Sequence, residues 1–439
     1  MAALAALSAV MLCLLLCRGH GAVMRSPFPL PPVPYLVNGM SERPEFETLD
    51  KTVEKFLRKW QINGASLAIA KDGRLIYAKG FGYANVEQKI EVQPYHIFRI
   101  ASVSKLITAT AVMKLVEDGR LSLDDKIFGA EGILSDSIFS EIRDERALQI
   151  TVKNLLEHSG GWTTKWGDPM FMGRAIADSR KAPMPVGVDE IICFVLSKRM
   201  HFNVGSFSSY VNVGYVMLGR VIEKVTGMTY EDYVRGELLT PMGISDMRIG
   251  NSYPKDFYSD EVSYYDVWDA KPAVAFDNPS VEVVKCNGGY DIRALGAAGG
   301  WVASPAQLVR FALCIDGSST VPDILLSESV DKMVRNDSGF DPLGWRLVSA
   351  RRWLRTGTLA GTSATLVRDT LDYCWAFVTN TSSWKGSTFS FRMEAMINGV
   401  IARESPKWEG FDHDLFTGRK VFIPDSITSI PAKNVHLQP

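Results

Sequence analysis

The sequence predicts an α/β fold of the α+β kind, in which one antiparallel sheet is flanked by helices and interrupted by a mainly helical part. Three observations predict it. A hairpin pattern lies early, with GASLAIA (64–70) and RLIYAKGFGYA (74–84) joined around Asp72-Gly73. Strand-like segments return late, at 351–358, 362–369 and 373–380. Between these ends, up to about residue 290, the pattern is mostly helix and loop.

Taken in order, the chain opens with Leu4 to Cys17, almost wholly apolar, followed by Arg18-Gly19-His20-Gly21-Ala22. About 14 apolar residues are too few to span a bilayer. Followed by small residues, they predict a signal peptide over 1–21 and a secreted, extracellular chain with no membrane span. Residues 22–45 form a proline-rich lead-in, densest at SPFPLPPVP (26–34). A folded domain is expected over 46–403. It starts with a helix at about 46–60, whose Phe46, Leu49, Val53, Phe56 and Leu57 share a face, and closes with a helix near 388–403. Residues 404–439 show no clear period and read as a tail.

Cys193, Cys286, Cys314 and Cys374 remain after the signal and permit three pairings or four buried thiols. Asn336-Asp337-Ser338 and Asn380-Thr381-Ser382 are glycosylation sequons in a secreted chain, whereas Asn278-Pro279-Ser280 is excluded by its proline.

Of the 439 residues, 46% are hydrophobic and 22% charged, which is the composition of a globular protein with a substantial core. A net charge of −1 gives no electrostatic reason to expect nucleic acid or an anionic membrane as partner. There is no HExxH, no paired CxxC and no G-x-S-x-G. His96, His158, His201, His413 and His436 match no zinc spacing, so neither metal nor cofactor is expected.

The chemistry sits in FRIASVSKLITATAVM (98–113), read as a buried helix with one lysine set into it. Residues i and i+3 of a helix lie about 5–6 Å apart, so Lys105 falls beside Ser102. A desolvated lysine there tunes the serine proton. The pattern alone is cheap, because it recurs at Ser252/Lys255, Ser329/Lys332 and Ser382/Lys385. Only the first copy opens a long apolar helix and is followed by Tyr210-Val211-Asn212 and then Arg355-Thr356-Gly357.

Around these motifs the chain resembles the serine β-lactamase-like superfamily, in its class C β-lactamase, DD-peptidase and family VIII esterase branch. Residues 98–127 are similar to the nucleophile helix, and TVKNLLEHSGGW (151–162) to the "T-x-x-x-LL-x-H-x-SG" loop. Residues 205–234 resemble the Tyr-x-Asn region, 296–311 the Gly-Gly segment, and 343–347 with 354–364 the strand beside the active site. The resemblance implies a β-lactamase/transpeptidase-like architecture with the site between an α/β part and a helical part. It implies Ser102 as nucleophile of an acyl-enzyme, Lys105 as its neighbour, and Tyr210 as base and later acid. Asn212 would orient Lys105, the backbone N–H groups of Ser102 and Thr358 would form the oxyanion hole, and Arg355, Thr356 and Gly357 would bind substrate.

Tyr83-Ala84-Asn85 also fits Tyr-x-Asn but precedes the serine on a strand, and His158-Ser159-Gly160 belongs to the LL-x-H-x-SG loop. The departure is Arg355, where many relatives carry Lys or His. Arginine stays protonated and suits a two-bonded grip on a carboxylate rather than a proton shuttle. The function implied is a secreted serine hydrolase acting through an acyl-enzyme on an amide or ester, as a peptidase, an esterase or a weak β-lactamase, with a small-molecule, peptide or ester substrate. Because some animal relatives occur in matrices such as mollusc shell, the alternative is a non-catalytic or residual-activity protein that keeps this fold and has extracellular matrix components as partners. Substrate choice is expected to lie in loops 162–185 and 250–290.

Overall fold

The structure, a computed structural model, describes residues 28–335, 337–411 and 413–417, with the backbone of 419 and 420. The expected signal peptide and Asn336 lie outside the described residues.

Helix α1 (Glu47–Trp60) buries Leu49, Val53, Phe56 and Leu57 on one face and stops where Gln61 turns left-handed. The hairpin follows as β1 (Gly64–Lys71) and β2 (Arg74–Asn85), with a short β3 (Ile90–Glu91) against β2. Sequence reading missed a second, small sheet, β4-β6-β5, made of β4 (Phe98–Arg99), β5 (Arg248–Ile249) and β6 (Trp301–Ala303). Strands of two or three residues are too short to show alternation. The late strands are β7 (Leu347–Val348), β8 (Arg352–Leu359), β9 (Thr362–Asp369) and β10 (Tyr373–Thr379). The main sheet runs β3-β2-β1-β10-β9-β8-β7 with antiparallel neighbours throughout. Its seam is β1 against β10, from Ala65 opposite Thr379 to Lys71 opposite Tyr373, so the two ends of the domain complete one sheet.

Alternation along the strands divides the core. Leu67, Ile69, Trp375 and Phe377 face α1 and the closing helix. Ala68, Ala70, Ala376 and Val378 face the helical part, where small side chains admit helices closely.

Three helices of that part build the site: α2 (Ser104–Glu117), α3 (Asn212–Thr226) and α4 (Ile292–Gly299). Behind them α5 (Pro305–Leu313), started by a Ser304–Gln307 capping box, packs on β1 and β10, and α6 (Phe389–Glu404) covers the outer face with α1. The expected helix over 98–113 therefore begins later. Phe98 and Arg99 are strand, and Ala101–Val103 form a 3-10 turn. From Ser104 to Met113 every residue of α2 is buried, as its apolar composition predicts.

Asn380 is corrected as a glycosylation site: it is fully buried, and its Nδ2 donates to the carbonyls of Tyr83 and Ser263, both at 3.0 Å. The atom a glycan would occupy holds β10 to neighbouring chain. The tail is corrected in part. Trp408, Phe411, Leu415 and Phe416 are buried, and Asp414 accepts from Leu75 N at 2.9 Å. The four cysteines among the described residues, Cys193, Cys286, Cys314 and Cys374, are free and buried. Among the described residues no helix is long and apolar enough to cross a membrane.

Candidate active site

A cavity of about 790 Å³ opens between the strand edge at β8 and the helical part. That is within the usual span for a small-molecule site. Its lining includes Ser102, Tyr210, Asn212, Arg355, Thr356, Gly357 and Thr358, so the structure brings together residues predicted from three distant stretches. None of Ser252, Ser329, Ser382 or Tyr83 lines it.

Ser102 stands in the 3-10 turn before α2, next to Ala101 at φ +47°. A non-glycine residue in that region is strained, and the surroundings must hold it there. They do. Ser104 Oγ donates to Ala101 O at 2.7 Å and accepts from Trp301 N at 3.2 Å, while Ile100 N donates to Trp301 O at 3.0 Å. The turn is thus stitched to β6. On the other side β8 approaches so closely that a Cβ on Gly357 would lie 2.1 Å from Ile100 O and 2.9 Å from Ser102 N. Only glycine fits.

One helical turn on, Lys105 is fully buried. Its Nζ donates to Asn212 Oδ1 at 2.7 Å, to Ala298 O at 2.6 Å and to Ser102 Oγ at 3.4 Å. The Ala298 carbonyl is available because the last carbonyls of a helix have no partner within it, and α4 ends at Gly299 after a kink at Gly296. Three acceptors match the three donors of an ammonium group. Burial nevertheless pulls Lys105 below 10.5, helped by Arg355 and opposed by Tyr210 and Asp168.

Tyr210 Oη and Ser102 Oγ are 2.7 Å apart, and Lys105 Nζ lies 4.8 Å from the centre of the Tyr210 ring. Tyr210 as a residue stays exposed to the cleft, and the partial loss of water around its phenol opposes ionisation. The charges of Lys105 and Arg355, with the hydrogen bond to Ser102, outweigh it and bring Tyr210 below 10. Behind it, His158 packs on Tyr210 and Tyr215 with centroids 4.6 and 5.2 Å away. Burial, then the Lys105 and Arg355 charges, drive His158 well below 6.5, so it is a neutral wall.

Arg355 reaches across from β8. Its Nε donates to the backbone carbonyl of Ser102 at 2.8 Å, and its buried Nη2 has no hydrogen-bond partner among the described residues. Thr356 Oγ1 accepts from Arg346 at 3.3 Å. Asp341 also lines this side, with a carboxyl raised by burial against the pull of Arg355 and Arg346.

Sequence reading missed Asp168, whose Oδ2 accepts from Asn212 Nδ2 at 2.7 Å. The only local signal, Asp168 before Pro169, marks a helix start and not a partner 44 residues away. Phe171 and Tyr290, with centroids 4.9 Å apart, come from the two loops expected to shape the cleft, and both line it.

The fold and the site define a class: an α/β chain holding a serine, lysine and tyrosine in a cleft beside an antiparallel sheet. Residues 49–390 match the model of the Beta-lactamase family, and the chain belongs to that family. Over 196 residues it is 28% identical to protein flp of Staphylococcus aureus strain N315, a stretch covering 45% of this chain and 36% of that protein. It therefore spans little more than a third of that relative's length. The D-amino acid amidase of Ochrobactrum anthropi SV3, solved with L-phenylalanine amide, superposes with a TM-score of 0.64 at 21% identity, covering 84% of this chain and 100% of the amidase. The octameric penicillin-binding protein homologue of Pyrococcus abyssi gives 0.60 at 24%, covering 81% and 77%. These structures share the fold.

Proposed function

We propose that the protein is a secreted serine hydrolase that cleaves an amide or ester through an acyl-enzyme. The observation that carries this is the 2.7 Å contact between Ser102 Oγ and Tyr210 Oη, beside a lysine whose three donors all have acceptors. A saturated Lys105 is a poor base, whereas a phenol flanked by two cations is a good one. Tyr210, as phenolate, takes the Ser102 proton while Oγ attacks the substrate carbonyl. The oxyanion is met by the backbone N–H groups of Ser102 and Thr358, where one such donor is worth about 3–4 kcal/mol. Tyr210 then returns the proton to the leaving amine or alkoxide. A water molecule, deprotonated by the same phenolate, releases the acid and frees Ser102.

Arg355, with Thr356 and Gly357 beside it, lines the cavity and receives a carboxylate of the substrate through the part of its guanidinium that faces the cleft. An amidase of the same fold, solved with L-phenylalanine amide, supports an amide as the bond cleaved. Secretion rests on the apolar stretch Leu4 to Cys17 and the small residues after it.

Purified protein treated with a fluorophosphonate, or with penicillin, should carry its adduct on Ser102 by mass spectrometry, and Ser102→Ala should carry none. Absence of any adduct, with no hydrolysis of simple esters, would overturn the reading.

A further inference from the structure

Asn212 presents an amide with a donor end and an acceptor end, and only one orientation serves Lys105. With Oδ1 toward Nζ the pair bonds at 2.7 Å, whereas turned over the amide would set its NH₂ against an ammonium group. Asn212 has no preference of its own. Asp168 supplies one, because a carboxylate only accepts and its Oδ2 lies 2.7 Å from Asn212 Nδ2. We propose that Asp168 is a positioning residue for acylation, fixing the Asn212 amide so that Lys105 stays beside Ser102, and tying that alignment to the loop that walls the cleft. The proposal rests on Ser102 being the nucleophile.

The second half follows from the other oxygen. Asp168 Oδ1 accepts from Met170 N at 3.0 Å and so starts the 3-10 turn Pro169–Phe171. That turn sets Phe171 against Tyr290 at the cleft wall. One carboxylate therefore holds both the catalytic amide and the substrate loop. Asparagine at 168 has the same shape but a single acceptor oxygen, so it cannot satisfy Met170 N and Asn212 Nδ2 together. The negative charge matters too: Asp168 counters the burial that destabilises the Lys105 cation.

The test compares wild type, Asp168→Asn and Thr163→Ala by the rate of Ser102 acylation with a p-nitrophenyl ester across pH. Thr163 caps Lys165 N in the same loop without touching Asn212, and it controls for a loosened loop. Asp168→Asn should acylate roughly 10- to 100-fold more slowly, since small misplacements of catalytic groups cost up to that factor. KM should stay within about threefold, and the alkaline limb should move to lower pH as Lys105 loses its counter-charge. Thr163→Ala should keep both the rate and the limb. A rate within twofold of wild type, a loss confined to KM, or the same loss and limb shift in Thr163→Ala would overturn the proposal. A readout independent of activity is the Lys105 titration followed by ¹³C NMR at Cε, which should fall in Asp168→Asn. If wild type is never acylated, the reading of Ser102 fails while this titration still decides on Asp168, and identical titrations would overturn it.

Discussion

Two cations flank Ser102, and the protein treats them differently. Lys105, on the buried helix α2, has an acceptor for each of its donors. Arg355, on β8, uses Nε on the Ser102 carbonyl and leaves Nη2 buried without a partner among the described residues. A buried donor left unpaired costs about 1–3 kcal/mol, more when charged. A fold tolerates that cost where a ligand later supplies the acceptor. On the reading proposed above, the satisfied cation is machinery and the unsatisfied one is recognition.

The widest break in that comparison is Gly357→Ala, because its Cβ would meet both Ile100 O and Ser102 N. Strand β8 must then move off the turn, taking the Thr358 N–H and Arg355 with it. Acylation should fall by roughly 10²- to 10³-fold, the loss typical of one oxyanion donor. A near-normal rate with either substrate charge would show that the strand does not contribute.

Arg355→Gln separates the two cations more finely. For an ester carrying a free carboxylate, kcat/KM should drop roughly 10- to 100-fold further than for its neutral methyl ester, the worth of about 1.5–3 kcal/mol for a charge-assisted bond. Equal losses on both substrates would move Arg355 into the machinery with Lys105.

The smallest effect concerns the neutral wall behind them. His158 is held well below 6.5 when folded, by burial first and then by Lys105 and Arg355. Below about 6.5 the unfolded chain binds a proton that the folded one refuses, so this contribution is present above that pH and is lost as pH falls toward the folded value. The slope is up to about 1.4 kcal/mol per pH unit. Glu261, pushed up to about 7 by burial, works in the opposite direction, since the folded state then holds the extra proton. The comparison is therefore between variants: in urea, His158→Gln should lose less stability from pH 7 to pH 5 than wild type. Parallel losses would mean that His158 is protonated in the fold.

Much of this was legible in the sequence, for reasons that can be named. The hairpin, the late strands and α1 have long periodic patterns, and each falls within a residue or so of its predicted span. Ser102, Lys105, Tyr210 and Asn212 sit in recognisable motifs, and the fold brings them to one cleft. What stayed hidden was tertiary. Asp168 is one carboxylate in a loop, with nothing local to say it meets Asn212. The sequon at Asn380 is read without regard to burial, and there the fold closes it. Trp408, Phe411 and Leu415 follow no period because they fill gaps under irregular chain.

The four free thiols have a consequence of their own. Cys193, Cys286, Cys314 and Cys374 are buried, and burial raises each above its ordinary value, with Cys286 and Cys314 at about 12. A thiol-reactive dye can modify them only in molecules that have opened, locally or throughout. The protein thus carries internal clocks in the helical part, beneath the small sheet and between α5 and β10. Their separate rates of labelling would time how each portion of the molecule comes apart.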